Sequence, residues 1–248
     1  FGYGLGVALA DLTTARCRRA HGVLAAYGIR IVQAWGWSAN LIHPDPAERR
    51  RQVALLGAAA RVAADLGAAM VIVGSGSHNP RGPYWPHRDN HAPDTQELLV
   101  ASLREAASAA EHHGVVIALE GHVLTTLDTP ERVRDIVQAV GSPAVRVNLD
   151  PVNFVGDLPT LYASTQLLTH VFEVLGDMVV SGHVKDVYAE DRLVLHLSET
   201  VLGDGEFDLR TYLTLFEKRL PDAYLFIEHL PEELVARAKG AFDDLAGE

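Results

Sequence analysis

Short apolar runs alternate along the chain with longer stretches in which apolar positions recur at helical spacing. Strand-like runs cover 3–9, 29–34, 69–73, 115–120, 144–150, 178–184 and 224–228, most of them β-branched and bounded by Gly or Pro. The helical stretches between them fall at about 13–27, 46–66, 94–113, 130–140, 160–176, 208–219 and 231–245. Asp45-Pro46-Ala47-Glu48 and Asp94-Thr95-Gln96-Glu97 read as capped helix starts, and Thr129-Pro130 and Leu230-Pro231 place proline in a first turn.

Strand and helix in strict alternation predict an α/β fold with a parallel sheet, and strands apolar along their whole length predict cover on both faces. A closed (β/α)8 barrel fits best, with a doubly wound open sheet as the alternative. Seven strand-like runs are found where a barrel needs eight. The expectation is therefore that a first β/α unit is missing and that the N-terminus has been trimmed before Phe1. No linker, repeat or low-complexity tract breaks the pattern, which predicts a single barrel domain over 1–248.

Composition narrows the functions. The 248 residues are 48% hydrophobic, enough for one large core, and carry a net charge of −11. No basic face of the kind nucleic acid requires is visible. Cys17 is the one cysteine, so an intrachain disulfide and a thiolate zinc cluster are excluded, and a reducing cytoplasm is the expected compartment. No run approaches the roughly 18 apolar residues of a membrane span, and no signal peptide is expected.

The chemistry gathers where the last four strands end. The runs over 115–120, 144–150 and 224–228 end at Glu120, Asp150 and Glu228, and the run over 178–184 leads to His183 beside its end. In a parallel β/α barrel the C-terminal strand ends form the functional face. Carboxylates brought together there would repel and raise one another's pKa, and a divalent cation relieves that. An oxygen-rich set with one imidazole suits Mn²⁺ first, with Mg²⁺, Co²⁺ or Zn²⁺ as alternatives.

The stretches ALEGH (118–122), VNLDPVNF (147–154), GHVKDV (182–187), LGDGEFDL (202–209) and FIEHL (226–230) together resemble the sugar phosphate isomerase/epimerase family, the xylose-isomerase-like TIM barrels. The resemblance extends from about Ile29 onward. It implies that one metal ion is held by Glu120, Asp150, His183 and Glu228, on strands five to eight of the barrel. It also implies a small-molecule sugar substrate and proton abstraction beside a carbonyl through an enediolate, with Glu120 and Glu228 as the acid/base pair. A homo-oligomer is compatible with it.

Where many relatives carry His three residues after the metal Asp, this chain has Asn153, which hydrogen-bonds but carries no proton. That opens a second reaction class, a metal-dependent lyase or dehydratase on a keto-sugar, keto-inositol or keto-glycoside. A barrel nuclease and a non-catalytic sugar binder fit less well, the first for want of a basic surface and the second because two acid/base groups are retained. Lys185 shares a strand face with His183 and is expected to hold a substrate oxygen, while Asp186 faces away and is expected to be structural. His122, His43 and Trp35 are further substrate-contact candidates, with Trp37 beside Trp35. The irregular connection over 77–93, which holds His78, Tyr84, Trp85, His87 and His91, is expected to act as a lid.

Overall fold

The computed structural model describes residues 7–36 and 38–247. The strand expected over 3–9 falls mostly outside these residues, as does Trp37, and Leu9–Asp11 forms a 3₁₀ turn. The chain divides into two compact units, Phe1–Val147 and Asn148–Glu248.

The first unit runs α1 (Thr14–Ala26), β1 (Gln33–Trp35), α2 (Pro46–Leu66), β2 (Met70–Val73), α3 (Pro93–His113), β3 (Val116–Glu120) and α4 (Pro130–Val140). β1 pairs with β2 in register Gln33↔Met70, and β2 with β3 in register Met70↔Val116, both parallel. All four residues of β2 are buried, as expected of a strand covered on both faces. α2 starts as its sequence dictates, with Asp45 Oδ1 accepting from the Ala47 N–H at 2.8 Å and Pro46 in the first turn. It stops at Gly67, whose φ of 74° is left-handed. It buries Val53, Leu56, Ala60 and Ala63 and packs on α3, which buries Leu99, Leu103, Ala106 and Ala110.

Three details depart from the sequence reading. β1 is shorter than expected, beginning at Gln33, and just before it the Val32 carbonyl accepts from Ala69 N–H at 3.1 Å. α3 opens at Pro93 without a side-chain cap. Asp94, expected as the cap of a capping box, lies inside the first turn, and Thr95 beside it donates to the Asp89 carbonyl at 2.7 Å. The connection between β2 and α3 contains a 3₁₀ turn, Arg88–His91, and is fastened by buried amides. Asn40 exchanges two hydrogen bonds with the Ser77 backbone, at 2.7 and 3.1 Å, and a Cβ on Gly76 (φ 88°) would sit 2.1 Å from Asn40 Oδ1. Asn90, fully buried, accepts from His78 N–H and donates to the Leu124 carbonyl, each at 3.0 Å.

β4 (Val145–Leu149) leads into the second unit. There follow α5 (Leu158–Tyr162), α6 (Ser164–Leu175), β5 (Val179–Val184), β6 (Asp186–Ala189), β7 (Leu197–Thr200), α7 (Leu209–Arg219), β8 (Tyr224–Ile227) and α8 (Glu232–Ala246). β5 and β8 pair in parallel, Ser181↔Tyr224 to Val184↔Ile227. The Tyr212 ring lies 6.2 Å from Phe172 and 5.9 Å from Phe216. A Cβ on Gly182 would come within 2.6 Å of both Phe216 and the Tyr212 hydroxyl, so only glycine lets α7 approach β5 this closely. Tyr212 spends that hydroxyl on the Leu149 carbonyl at 3.0 Å, which satisfies a buried donor.

The second unit also holds an antiparallel hairpin, β6–β7, that the sequence pattern did not predict. Asp186 lies under it, 1% exposed, and accepts from the N–H groups of Val187, Gly203, Gly205 and Phe207 at 2.9 to 3.3 Å. Burial pushes its carboxyl up, and these four donors work against that. Its role is thus structural, in organising the 203–207 loop. Asp208, in the same stretch, caps α7 through the Thr211 N–H at 3.0 Å.

Candidate metal centre

In the second unit the strand ends bring charged groups to one place. β5 alternates, so Ser181, His183 and Lys185 share a face. Ser181 Oγ hydrogen-bonds Asn148 Oδ1 at 2.6 Å and ties β5 to the end of β4. Directly beyond that end stands Asp150, and Pro151–Phe154 turns away from it as a buried 3₁₀ turn. The β5–β8 register, ending at Val184↔Ile227, sets Glu228 level with Lys185.

Asp150, His183 and Glu228 each offer a ligand atom, all within 4.8 Å of one another. His183 Nδ1 lies 3.0 Å from Glu228 Oε1. Lys185 Nζ lies 2.8 Å from Asp150 Oδ2, and 3.5 Å from both Glu228 Oε2 and Glu199 Oε1. The Asp150 side chain is wholly buried (0% exposed) and that of Glu228 nearly so at 14%. A carboxylate in such surroundings needs a partner of opposite charge. Burial raises the Glu228 carboxyl, but the His183 hydrogen bond and the charges of His183, Lys185 and His229 outweigh it and hold the group down at about 2.

Three carboxylates here share one ammonium and two imidazoles as their partners. Two carboxylate groups and an imidazole at ligand spacing form a donor set that suits a divalent ion. Asp150, His183 and Glu228 therefore fit a metal.

Two members of the cluster were not legible in the sequence, Glu199 and His229. His229 accepts no strand alternation: its φ of 58° is left-handed, rare for a residue other than glycine. That turn brings its ring back, with Nδ1 donating to Glu199 at 3.0 and 3.2 Å and Nε2 3.4 Å from Glu228 Oε1. The hydrogen bond to Glu199 raises the His229 pKa. For the Glu199 carboxyl burial is opposed by His229 and Lys185, and the net shift is downward. Glu199 reaches the cluster through the β6–β7 pairing, a non-local event with no pattern of its own in the sequence.

The other expected residues stand as follows. Glu120 closes β3 in the first unit, half-buried. His122, two residues on, has its Nδ1 accepting from Leu124 N–H at 3.1 Å, which makes it part of a turn. His43 Nδ1 accepts likewise from Asp45 N–H at 3.1 Å, ahead of α2. Trp35 ends β1, its ring centroid 6.2 Å from that of Tyr84, and its indole N–H and the Tyr84 hydroxyl both reach Ser38 Oγ, at 3.4 and 3.1 Å. Asn153 is buried in the 3₁₀ turn after Asp150, its N–H donating to the Asp150 carbonyl at 3.3 Å.

The sequence pattern of the xylose isomerase-like TIM barrel family matches residues 4–245. Solved structures are similar across nearly the whole chain. A xylose isomerase-like TIM barrel protein from Mycobacterium smegmatis in complex with magnesium aligns with a TM-score of 0.73 at 18% identity, covering 96% of this chain and 79% of that one. An IolI protein with a bound zinc atom aligns with a TM-score of 0.73 at 19% identity, covering 93% and 81%. The 3-keto-D-glucoside 4-epimerase YcjR from E. coli aligns with a TM-score of 0.71 at 14% identity, covering 95% and 86%. At these identities the likeness establishes the fold. No curated protein matches the sequence.

Proposed function

The chain belongs to the xylose isomerase-like TIM barrel family, and on that premise we propose that it is a divalent-metal-dependent sugar isomerase or epimerase. The observation that carries the reading is the buried grouping of Asp150, His183 and Glu228, with ligand atoms within 4.8 Å of one another. Glu120 is proposed as the fourth ligand, on the family resemblance of its motif. The ion, Mn²⁺ by preference, would polarise the substrate's carbonyl oxygen and so acidify the neighbouring C–H.

The chain's own groups do the rest. One of the two glutamates, Glu228 or Glu120, takes the proton from the carbon beside the carbonyl, and the C–H electron pair passes into an enediolate. The other returns a proton, to the opposite face of the same carbon for epimerisation, or to the adjacent carbon for isomerisation, in which the hydroxyl proton also passes to the former carbonyl oxygen. A Glu228 carboxyl held at about 2 is ionised at neutral pH and ready to accept, though a base this weak depends on close positioning. The Lys185 ammonium holds a substrate oxygen as negative charge develops. His43, His122, Asn153 and Trp35 are proposed to contact substrate. The magnesium and zinc bound by the two similar structures, and the epimerase activity named for the third, are in keeping with this. Among the described residues no helix is long and apolar enough to cross a membrane. Cys17, buried and unpaired with sulfur, suits the cytoplasm as the proposed compartment.

The test is incubation with candidate keto-sugars and keto-glycosides in D₂O, followed by NMR. Deuterium entering a retained carbon skeleton is the expected result. An unsaturated product or a released aglycone would replace this reading with a lyase.

A further inference from the structure

The same ammonium that fits a substrate oxygen also sits among groups assigned to the metal. Lys185 Nζ is 2.8 Å from Asp150 Oδ2 and 3.5 Å from Glu228 Oε2, and its side chain is 6% exposed. Asp150 and Glu228 are two of the proposed ligands, so an ammonium and a divalent ion call on the same two carboxylates. Two cations at that separation repel strongly where little water screens them. One of them has to withdraw.

The structure supplies a place for it. Glu199 is in no proposed ligand set, comes from a different element, and is 43% exposed at its side chain, yet its Oε1 is already 3.5 Å from Lys185 Nζ. It is held there. His229 Nδ1 donates to both of its carboxylate oxygens. The hairpin that carries it is pinned by Asp186 and by Glu206, whose Oε2 accepts from Ala189 N–H at 2.8 Å. A long side chain pivoting on a fixed Cα can trade one carboxylate for the other without backbone movement.

We propose that the Lys185 ammonium and the divalent ion are alternative cations for Asp150 and Glu228, and that Glu199 is a positioning residue that receives the ammonium when the ion binds. This rests on the metal-site reading above and deepens it. The exchange would convert Lys185 from a counter-ion of the ligands into a donor aimed at a substrate oxygen, so that the binding group is made ready by the ion itself.

The test is calorimetric titration of Mn²⁺ into the wild-type protein, Lys185→Met, Glu199→Gln and the double variant, with thermal melts to confirm folding. Lys185→Gln replaces the Met variant if that one melts early. The expected result is Mn²⁺ binding about tenfold tighter in Lys185→Met, because the competing cation is gone, and several-fold weaker in Glu199→Gln. In the Lys185→Met background the Glu199→Gln change should have little effect. Loss of a nearby negative charge would act equally in both backgrounds, so this coupling separates the receiving role from plain electrostatics. Binding in Lys185→Met no tighter than wild type, or a Glu199→Gln effect of equal size in both backgrounds, overturns the proposal while leaving the metal site standing. Absence of Mn²⁺ binding in every variant overturns the metal-site reading and this proposal together.

Discussion

Two regions of the chain are dense in buried polar side chains, and they differ in kind. In the first unit, Asn40, Ser77 and Asn90 are neutral and meet backbone groups and one another at ordinary hydrogen-bonding distances. Donor faces acceptor, and the network fastens a loop. In the second unit, Asp150, Glu228 and Glu199 surround Lys185, with buried His183 and exposed His229 beside them. Charge faces charge there, carboxylates against an ammonium and imidazoles. A neutral network completed within the chain contributes rigidity. Charged groups buried together are expensive to fold and mark a functional site.

That contrast predicts which changes alter chemistry and which alter stability. The largest effect falls on Glu228. Glu228→Gln keeps the shape and loses the base, so kcat should drop by about 10³-fold with the circular-dichroism spectrum unchanged. A variant turning over at the wild-type rate would remove Glu228 from the acid/base role. Stripping the ion with a chelator should abolish turnover, and adding Mn²⁺ should restore it. Full activity in protein shown by elemental analysis to be metal-free would undo the contrast from the charged side.

The neutral region should respond in the opposite sense. Asn90→Ala leaves buried partners at Ser77, His78 and Leu124 unsatisfied and should lower unfolding free energy by about 1–3 kcal/mol, read from denaturant melts. Its affinity for Mn²⁺ should not change, and a shift in that affinity would show the two regions to be coupled. A smaller effect separates them by pH. Glu228 titrates at about 2 in the folded chain against an ordinary 4.5, so its pairing adds stability above about 4.5 and loses it as pH falls toward 2. The metal-free protein should therefore lose melting temperature across that window, and Glu228→Gln should flatten the loss. Asn90→Ala should leave the pH slope as it was.

The same contrast explains what could be read from the chain in advance. Asp150 announced itself because an apolar run ends in a carboxylate followed by Pro151, and Lys185 because it stands two residues from His183 on an alternating strand. Both signals are local. The parallel pairing followed from strand–helix order, and most helix limits from caps such as Asp45 and Thr129. Glu199 and His229 were out of reach, since one depends on hairpin pairing across residues 186–200 and the other on a left-handed φ that breaks strand alternation. Asp94 misled for a different reason: the helix begins one residue earlier, at Pro93, so the expected cap falls inside the first turn.

The central claim is that Asp150, His183 and Glu228, joined by Glu120, hold one divalent ion. Anomalous diffraction at the manganese edge from Mn²⁺-soaked crystals tests it most directly. The account predicts one peak per chain with these four side chains at about 2.0–2.3 Å. A peak ligated elsewhere, or none at saturating Mn²⁺, would contradict it.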